Sequence, residues 1–285
     1  MLPAHLRSFV FLGNNLILGS TLKPPALLVY SLEQSPADGT TQASTHLLRF
    51  LFGTPSQYTT DILLASDPSP RWSPSPGSQV PFQIAGDERI VAMNVQFFDE
   101  REVYMCATSL ISTKTLLGYM ENRPIKEGDD VEWKSCGPLL SERVPGPDRW
   151  DVWTCFVFGM RYILPRVVYL HGKPMIIIRD LSPRRCLRAS KEELEESNAL
   201  HQVMMGGPRR KSYPRSILKC VPLPESIEDP QNLNLMISED GIVAIEEVCP
   251  EKTCVFIAAR LMRFGCRLGS PQFFIYSRSD ALSDA

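Results

Sequence analysis

At 285 residues, 44% of them hydrophobic, the chain is long enough for one large all-β domain or two smaller ones, and its 24 prolines are far too many for a helical bundle. Its 30 Lys and Arg nearly balance 32 Asp and Glu, so it lacks the basic excess of a nucleic-acid module and any global pull toward an acidic membrane surface. The most apolar region, from Val152 to Ile178, is broken by Arg161, Pro165, Arg166, His171 and Lys173, which excludes a membrane span there.

In chain order, the first strands fall within Ser8–Gly19 and Ala26–Leu32, the first two joined by Gly13-Asn14-Asn15, a turn composition that tolerates positive φ. Leu47–Phe52 and Asp61–Ala65 read as further strands. Asp67–Gly77 carries alternate prolines that prevent both helix and central strand, so an extended surface loop is expected. Ile90–Phe98 and Glu102–Ala107 form a hairpin across Asp99-Glu-Arg101. Ser109 then caps a short helix carrying Leu110, Ile111, Leu116, Leu117 and Met120, which Arg123-Pro124 stops. From Lys126 to Arg149 the chain is polar, with one half-buried strand at Asp130–Ser135.

The core is expected in four strands at Val152–Phe158, Met160–Leu164, Arg166–Leu170 and Met175–Arg179, the last hairpin bending at Gly172. Ser190-Lys-Glu-Glu193 is a capping box that opens a helix to Met205, with glutamates at the positive end of its dipole. Strands return at Leu233–Ile237, Ile242–Ile245, Cys254–Ala258 and Gln272–Tyr276, with a hairpin turn at Ser238–Gly241, and residues 279–285 form a frayed tail.

This rhythm predicts an all-β fold of propeller-like (WD-repeat-like) antiparallel blades: a single domain over residues 1–278, with inserts at about 108–149 and 181–230 and one or two short inserted helices. Propeller blades of four strands repeat at roughly 40–50 residues, leaving room for about six, whereas the strands named above fill about four. The propeller therefore reads as incomplete: either weak strands hide in the inserts, or part of the domain lies upstream.

The eight cysteines include several inside apolar runs, where a small buried hydrophobe explains them. Cys249 and Cys254, with Cys266 further on, have zinc-like spacing but no second cluster and no nearby histidine among positions 5, 46, 171 and 201. No metal is expected. Neither a nucleophile elbow nor a phosphate-cradling glycine loop occurs, so no catalytic residue and no cofactor are expected. Met1-Leu-Pro-Ala-His5 has no basic lead of a secretory signal, and a reduced cytosolic or nuclear setting is expected. Ser212, in the basic run Pro208–Tyr213, is a candidate phosphorylation site beside three cations. Trp72 and Trp150 lie in polar loops and are the candidate interface anchors, while Trp153 alternates with apolar neighbours and belongs to the core.

Four segments together carry a family resemblance: Phe9-Val-Phe-Leu-Gly-Asn-Asn15, Asp67-Pro-Ser-Pro-Arg-Trp72, Trp150-Asp-Val-Trp153 with Phe158-Gly-Met-Arg-Tyr162, and Leu235-Met-Ile-Ser-Glu-Asp-Gly241. From about Leu6 to Glu246 the chain resembles the C-terminal region of F-box proteins abundant in mushroom-forming (basidiomycete) fungi. The resemblance implies a propeller-like region that recognises a protein partner, coupled through an N-terminal F-box to a Skp-type adaptor of a ubiquitin ligase. No stretch of this chain resembles the F-box itself, so adaptor binding is expected only if an F-box precedes it. Two other readings stand beside this one: a stand-alone propeller scaffold without a ligase role, and, with less support, a propeller enzyme whose site lies at the central channel.

Overall fold

The computed structural model describes residues 6–13, 15–32, 46–52, 58–67, 88–98, 103–124, 126–144, 156–164, 167–205, 216–223, 227, 233–237, 241–247, 257–263 and 275–276. The chain divides into two compact units, one of residues 1–73 and 82–151, the other of residues 74–81 and 152–285.

The first unit begins with a meander of β1 (Ser8–Phe11), β2 (Leu16–Leu22), β3 (Pro25–Ser31) and β4 (Leu48–Leu51). Cross-strand partners such as Leu18 and Val29 share one face, which joins Val10, Leu12, Leu27 and Phe50 in the core. The alternate residues Ile17, Leu28 and Tyr30 cover the opposite face with Leu6. A second sheet runs β5 (Tyr58–Ala65), β6 (Ile90–Phe98), β7 (Tyr104–Ser112) and β9 (Ser141–Val144). Its Ile62, Leu64, Val91, Met93 and Ile111 belong to the same core. Polar side chains stitch the two sheets together: Ser20 Oγ donates to the Ile62 carbonyl at 2.7 Å, and Ser8 Oγ accepts from the Leu64 N–H at 3.1 Å.

The insert expected at 108–149 holds more regular structure than its composition suggests. The strand β7 continues to Ser112, because Leu110 and Ile111 pair with both β6 and β9. The helix α1 (Thr113–Glu121) therefore starts three residues later than expected, and Ser112 rather than Ser109 caps it, its Oγ accepting from the Thr115 N–H at 3.3 Å. The strand expected at 130–135 becomes β8 (Asp129–Glu132), which pairs parallel with β4. Trp133 then opens α2 (Trp133–Leu140), a helix that tolerates Pro138 in its last turn.

Gly137 lies under the Trp133 indole. A Cβ there would stand 2.6 Å from Trp133 Cε2 and Nε1, and the ring is held in turn by Phe50 at 5.9 Å and Phe52 at 5.4 Å between centroids. Glycine to alanine inside a helix ordinarily stabilises by roughly 0.5–1 kcal/mol. Here the overlap with a buttressed ring outweighs that gain, and Gly137→Ala is expected to destabilise by about 1–3 kcal/mol. The urea midpoint of the purified variant checks this; an unchanged or raised midpoint would mean that the indole moves aside freely.

In the second unit, β10 (Val157–Phe158), β11 (Arg161–Ile163), β13 (Lys173–Asp180) and β14 (Ile217–Pro222) form one antiparallel sheet, and β12 (Val168–Leu170) pairs with the first half of β13. Tyr162, Ile163, Leu164, Ile176 and Ile177 are fully buried in it. The β12–β13 hairpin bends at His171 and Gly172, with φ of 51° and 76°, the two positive values that a type I′ turn requires. Short helix α3 (Pro183–Arg188) precedes α4 (Lys191–Met205). The capping box at the start of α4 is formed in full: Ser190 Oγ accepts from the Glu193 N–H at 3.2 Å, and Glu193 Oε2 accepts from the Ser190 N–H at 3.1 Å. Ser197 Oγ accepts from the Leu218 N–H at 2.9 Å, which fastens the buried stripe of α4 to β14.

The last sheet runs β15 (Leu233–Ile237), β16 (Gly241–Glu247), β17 (Ile257–Arg263) and β18 (Ile275–Tyr276). β17 starts three residues after the expected Cys254, whose position lies outside the described residues, as does the turn 238–240. The fold is thus mostly β, in several antiparallel sheets, with four helices among the described residues rather than one or two. The extra helices, α2 and α3, are short and proline-bearing, and their sequences carry no amphipathic run long enough to announce them. Among the described residues no closed barrel or propeller is formed.

Candidate functional site

In both units, several charged side chains hold strands and helices in register. Arg49 on β4 grips Asp130 on β8 with two parallel bonds of 2.7 and 2.6 Å. That fork raises the guanidinium's pKa and lowers the carboxyl's. Tyr30 lies on the same sheet face, its hydroxyl pKa pushed up by burial and drawn down by Arg49. In the second unit Arg161 and Asp180 are cross-strand partners on β11 and β13. Burial pushes the Asp180 carboxyl up, against the Ser182 N–H bond and the pull of Arg161, Arg185 and Lys219. Arg185 bonds Glu193, and Lys219 stands 3.8 Å from the same carboxylate. These pairs lock β4 to β8 and anchor the α3–α4 corner.

A different arrangement appears between α1 and α2. An open groove of about 460 Å³ is lined by Thr115, Gly118, Tyr119, Asn122, Arg123, Leu139 and Leu140. Its floor is rigid, because Leu116 and Leu140 are buried in the core and Tyr119 packs on Phe50 with centroids 6.3 Å apart. Its rim is apolar on the α2 side, where Leu139 is 66% exposed. On the α1 side Asn122 closes the helix: its backbone N–H and its Nδ2 both donate to the Gly118 carbonyl, at 3.1 and 2.7 Å. Arg123 Nη1 donates to the Tyr119 hydroxyl at 2.6 Å. The guanidinium carbon is 5.8 Å from the ring centroid, so it stands beyond the hydroxyl end of the ring rather than over its π face. Among the described residues, Arg123 is the only charged one lining the groove.

The expected interface anchors Trp72 and Trp150, the candidate phosphorylation site Ser212, and Cys249, Cys254 and Cys266 lie outside the described residues. Trp133 does not line the groove but buttresses α2 from beneath. Of the described cysteines, Cys136 and Cys220 are free thiols. Burial pushes the thiol of buried Cys136 up, and partial burial aided by Glu196 pushes that of half-buried Cys220 to about 11, which works against a nucleophilic thiolate at either position. Among the described residues no group of three or more His, Cys, Asp or Glu is placed to hold a metal ion, and no helix is long and apolar enough to cross a membrane.

Compared with models of protein families, with curated proteins and with solved structures, the chain matches none. The groove was not legible beforehand. Arg123 reads in sequence only as a helix stop before Pro124, and Leu139 as one apolar residue in a polar stretch. The usable signal is the pair Leu139-Leu140 after Pro138, where two adjacent leucines cannot both face one core.

Proposed function

We propose that the chain is a non-enzymatic protein-interaction module, the substrate-recognition part of an F-box-type ubiquitin ligase receptor built on propeller-like blades. The observation that carries the interaction role is the groove between α1 and α2, a rigid wall of Tyr119, Leu139 and Leu140 with one arginine at its rim. Tyr and Arg beside exposed apolar surface, with no Lys, Asp or Glu among the described lining residues, is the composition of interface centres. The blade reading draws on order along the chain. Four sheets follow one another, each with four antiparallel strands: β1–β4; β5–β7 with β9; β10, β11, β13 and β14; and β15–β18, the first extended by the parallel β8 and the third by β12. Within each unit the first strand of the later set lies beside the first strands of the earlier one, β5 against β1 and β2, and β15 against β10 and β11. Propeller blades follow one another in the same way.

The ligase part rests on the resemblance to mushroom F-box proteins. It is tested by purifying the protein expressed from its own locus and probing for a Skp-type adaptor. Co-purification in stoichiometric amount is expected. Absence of the adaptor would remove the ligase role and leave a stand-alone scaffold.

A further inference from the structure

We propose that the α1–α2 groove binds a linear segment of a partner protein in which an aspartate or glutamate lies next to a large aliphatic or aromatic side chain. The inference rests on the interaction-module reading and names the chemistry of its ligand. The groove's volume of about 460 Å³ is ample for one such side chain laid against Leu139 and Leu140. Arg123 supplies the polar specificity. One nitrogen is held by the Tyr119 hydroxyl, which fixes the direction of the planar fork and leaves its other donors at the rim, matched in geometry to a carboxylate.

The ordinary task of an arginine at this position is to satisfy the carbonyl end of the preceding helix. That task is done here by other groups: Asn122 bonds the Gly118 carbonyl twice, and the Arg123 backbone N–H meets the Met120 carbonyl at 3.4 Å. The guanidinium is directed instead to Tyr119 and the groove. A second copy of the chain is the poorer occupant, because a twofold contact would set groove against groove, and no described lining residue is acidic to receive the other copy's Arg123. An internal segment fits better than a chain terminus, since the groove is open and offers one arginine rather than a nest of backbone N–H groups.

The test is selection of a phage-displayed library of random linear peptides on the purified full chain, with no adaptor present. Enriched sequences are expected to share an acidic residue within a few positions of Leu, Ile, Met or Phe. A synthetic peptide of the enriched type, followed by fluorescence anisotropy, should bind about tenfold more weakly to Arg123→Gln, less weakly to Arg123→Lys, and more weakly to Leu139→Ala. Both side chains are exposed, so these variants should melt with the parent, and the melting curves are recorded alongside. No enrichment, enrichment without a carboxylate, or equal binding by Arg123→Gln overturns the proposal. So does a dimer in light scattering that Arg123→Gln dissolves, which would give the groove to a second copy. Because the adaptor is absent, failure here leaves the ligase reading standing, and failure of adaptor binding leaves peptide selection untouched.

Discussion

Replacing Arg89 by methionine is expected to destabilise the first unit by about 2–5 kcal/mol. Arg89 is 1% exposed, and its Nη2 donates to the Phe11 and Leu12 carbonyls at 3.0 and 2.9 Å. Its own backbone is tied to the start of α1: its N–H and carbonyl both meet Thr113 Oγ1, and the Thr113 N–H donates to the same carbonyl at 2.9 Å. One residue therefore joins the end of β1, the entry to β6 and the first turn of α1. Burial lowers the guanidinium's pKa and Asp67 raises it, and it remains charged because arginine starts so high. Methionine fills the space but donates nothing, leaving two carbonyls without their shared donor. Lysine keeps the charge and its ammonium, like Nη2, has donors for both oxygens, but it ends one atom short of Nη2 and costs more to strip of water, so Arg89→Lys should fall between the parent and Arg89→Met. Urea titration with hydrogen exchange at β1 and β6 assigns the loss to this unit. A change under about 0.5 kcal/mol would show that the bonds merely repay the cost of burying the charge.

What was legible in the sequence follows how local each interaction is. Ile90–Phe98 is legible to the residue, because its apolar run is nearly continuous and is closed by the polar Asp99-Glu-Arg101. The Ser190–Glu193 box was equally plain, since both of its hydrogen bonds close within three residues. The parallel β4–β8 pair was not, because its fork between Arg49 and Asp130 joins residues 81 apart in sequence. Nor was β14, which lies in the expected 181–230 insert and is defined by pairing with β13 and by the Ser197 bond from α4. Two strands that the sequence does not announce, β9 and β14, lie in the inserts and, with the expected β8, join sheets begun elsewhere. The groove is less legible still: neither helix encodes it alone, and Phe50 of β4 packs against both Tyr119 of α1 and Trp133 of α2.

That dependence makes Phe50→Ala the other large expected loss, about 3–5 kcal/mol. Phe50 is fully buried on β4, opposite Val131 of β8, and meets the Trp133 ring edge-on at 5.9 Å and 89° and the tilted Tyr119 ring at 6.3 Å and 43°. Removing the ring forfeits its buried surface, leaves a cavity between two helices and a sheet, and deletes both aromatic pairings, each worth about 0.5–1.5 kcal/mol beyond area. The loss should be uneven. Amides of α1 and α2 are expected to exchange faster in Phe50→Ala, while those of α4, in the other unit, keep their parental rates. Phe50→Leu retains most of the volume and should cost less than half as much. Because Tyr119 is both a neighbour of Phe50 and a wall of the groove, Phe50→Ala should also weaken capture of the acidic–apolar peptide, although Phe50 itself does not line the groove. If Phe50→Ala and Phe50→Leu prove equally stable and exchange in α1 and α2 is unchanged, the helices are held by their own caps and turns, and the ring is not what positions the site.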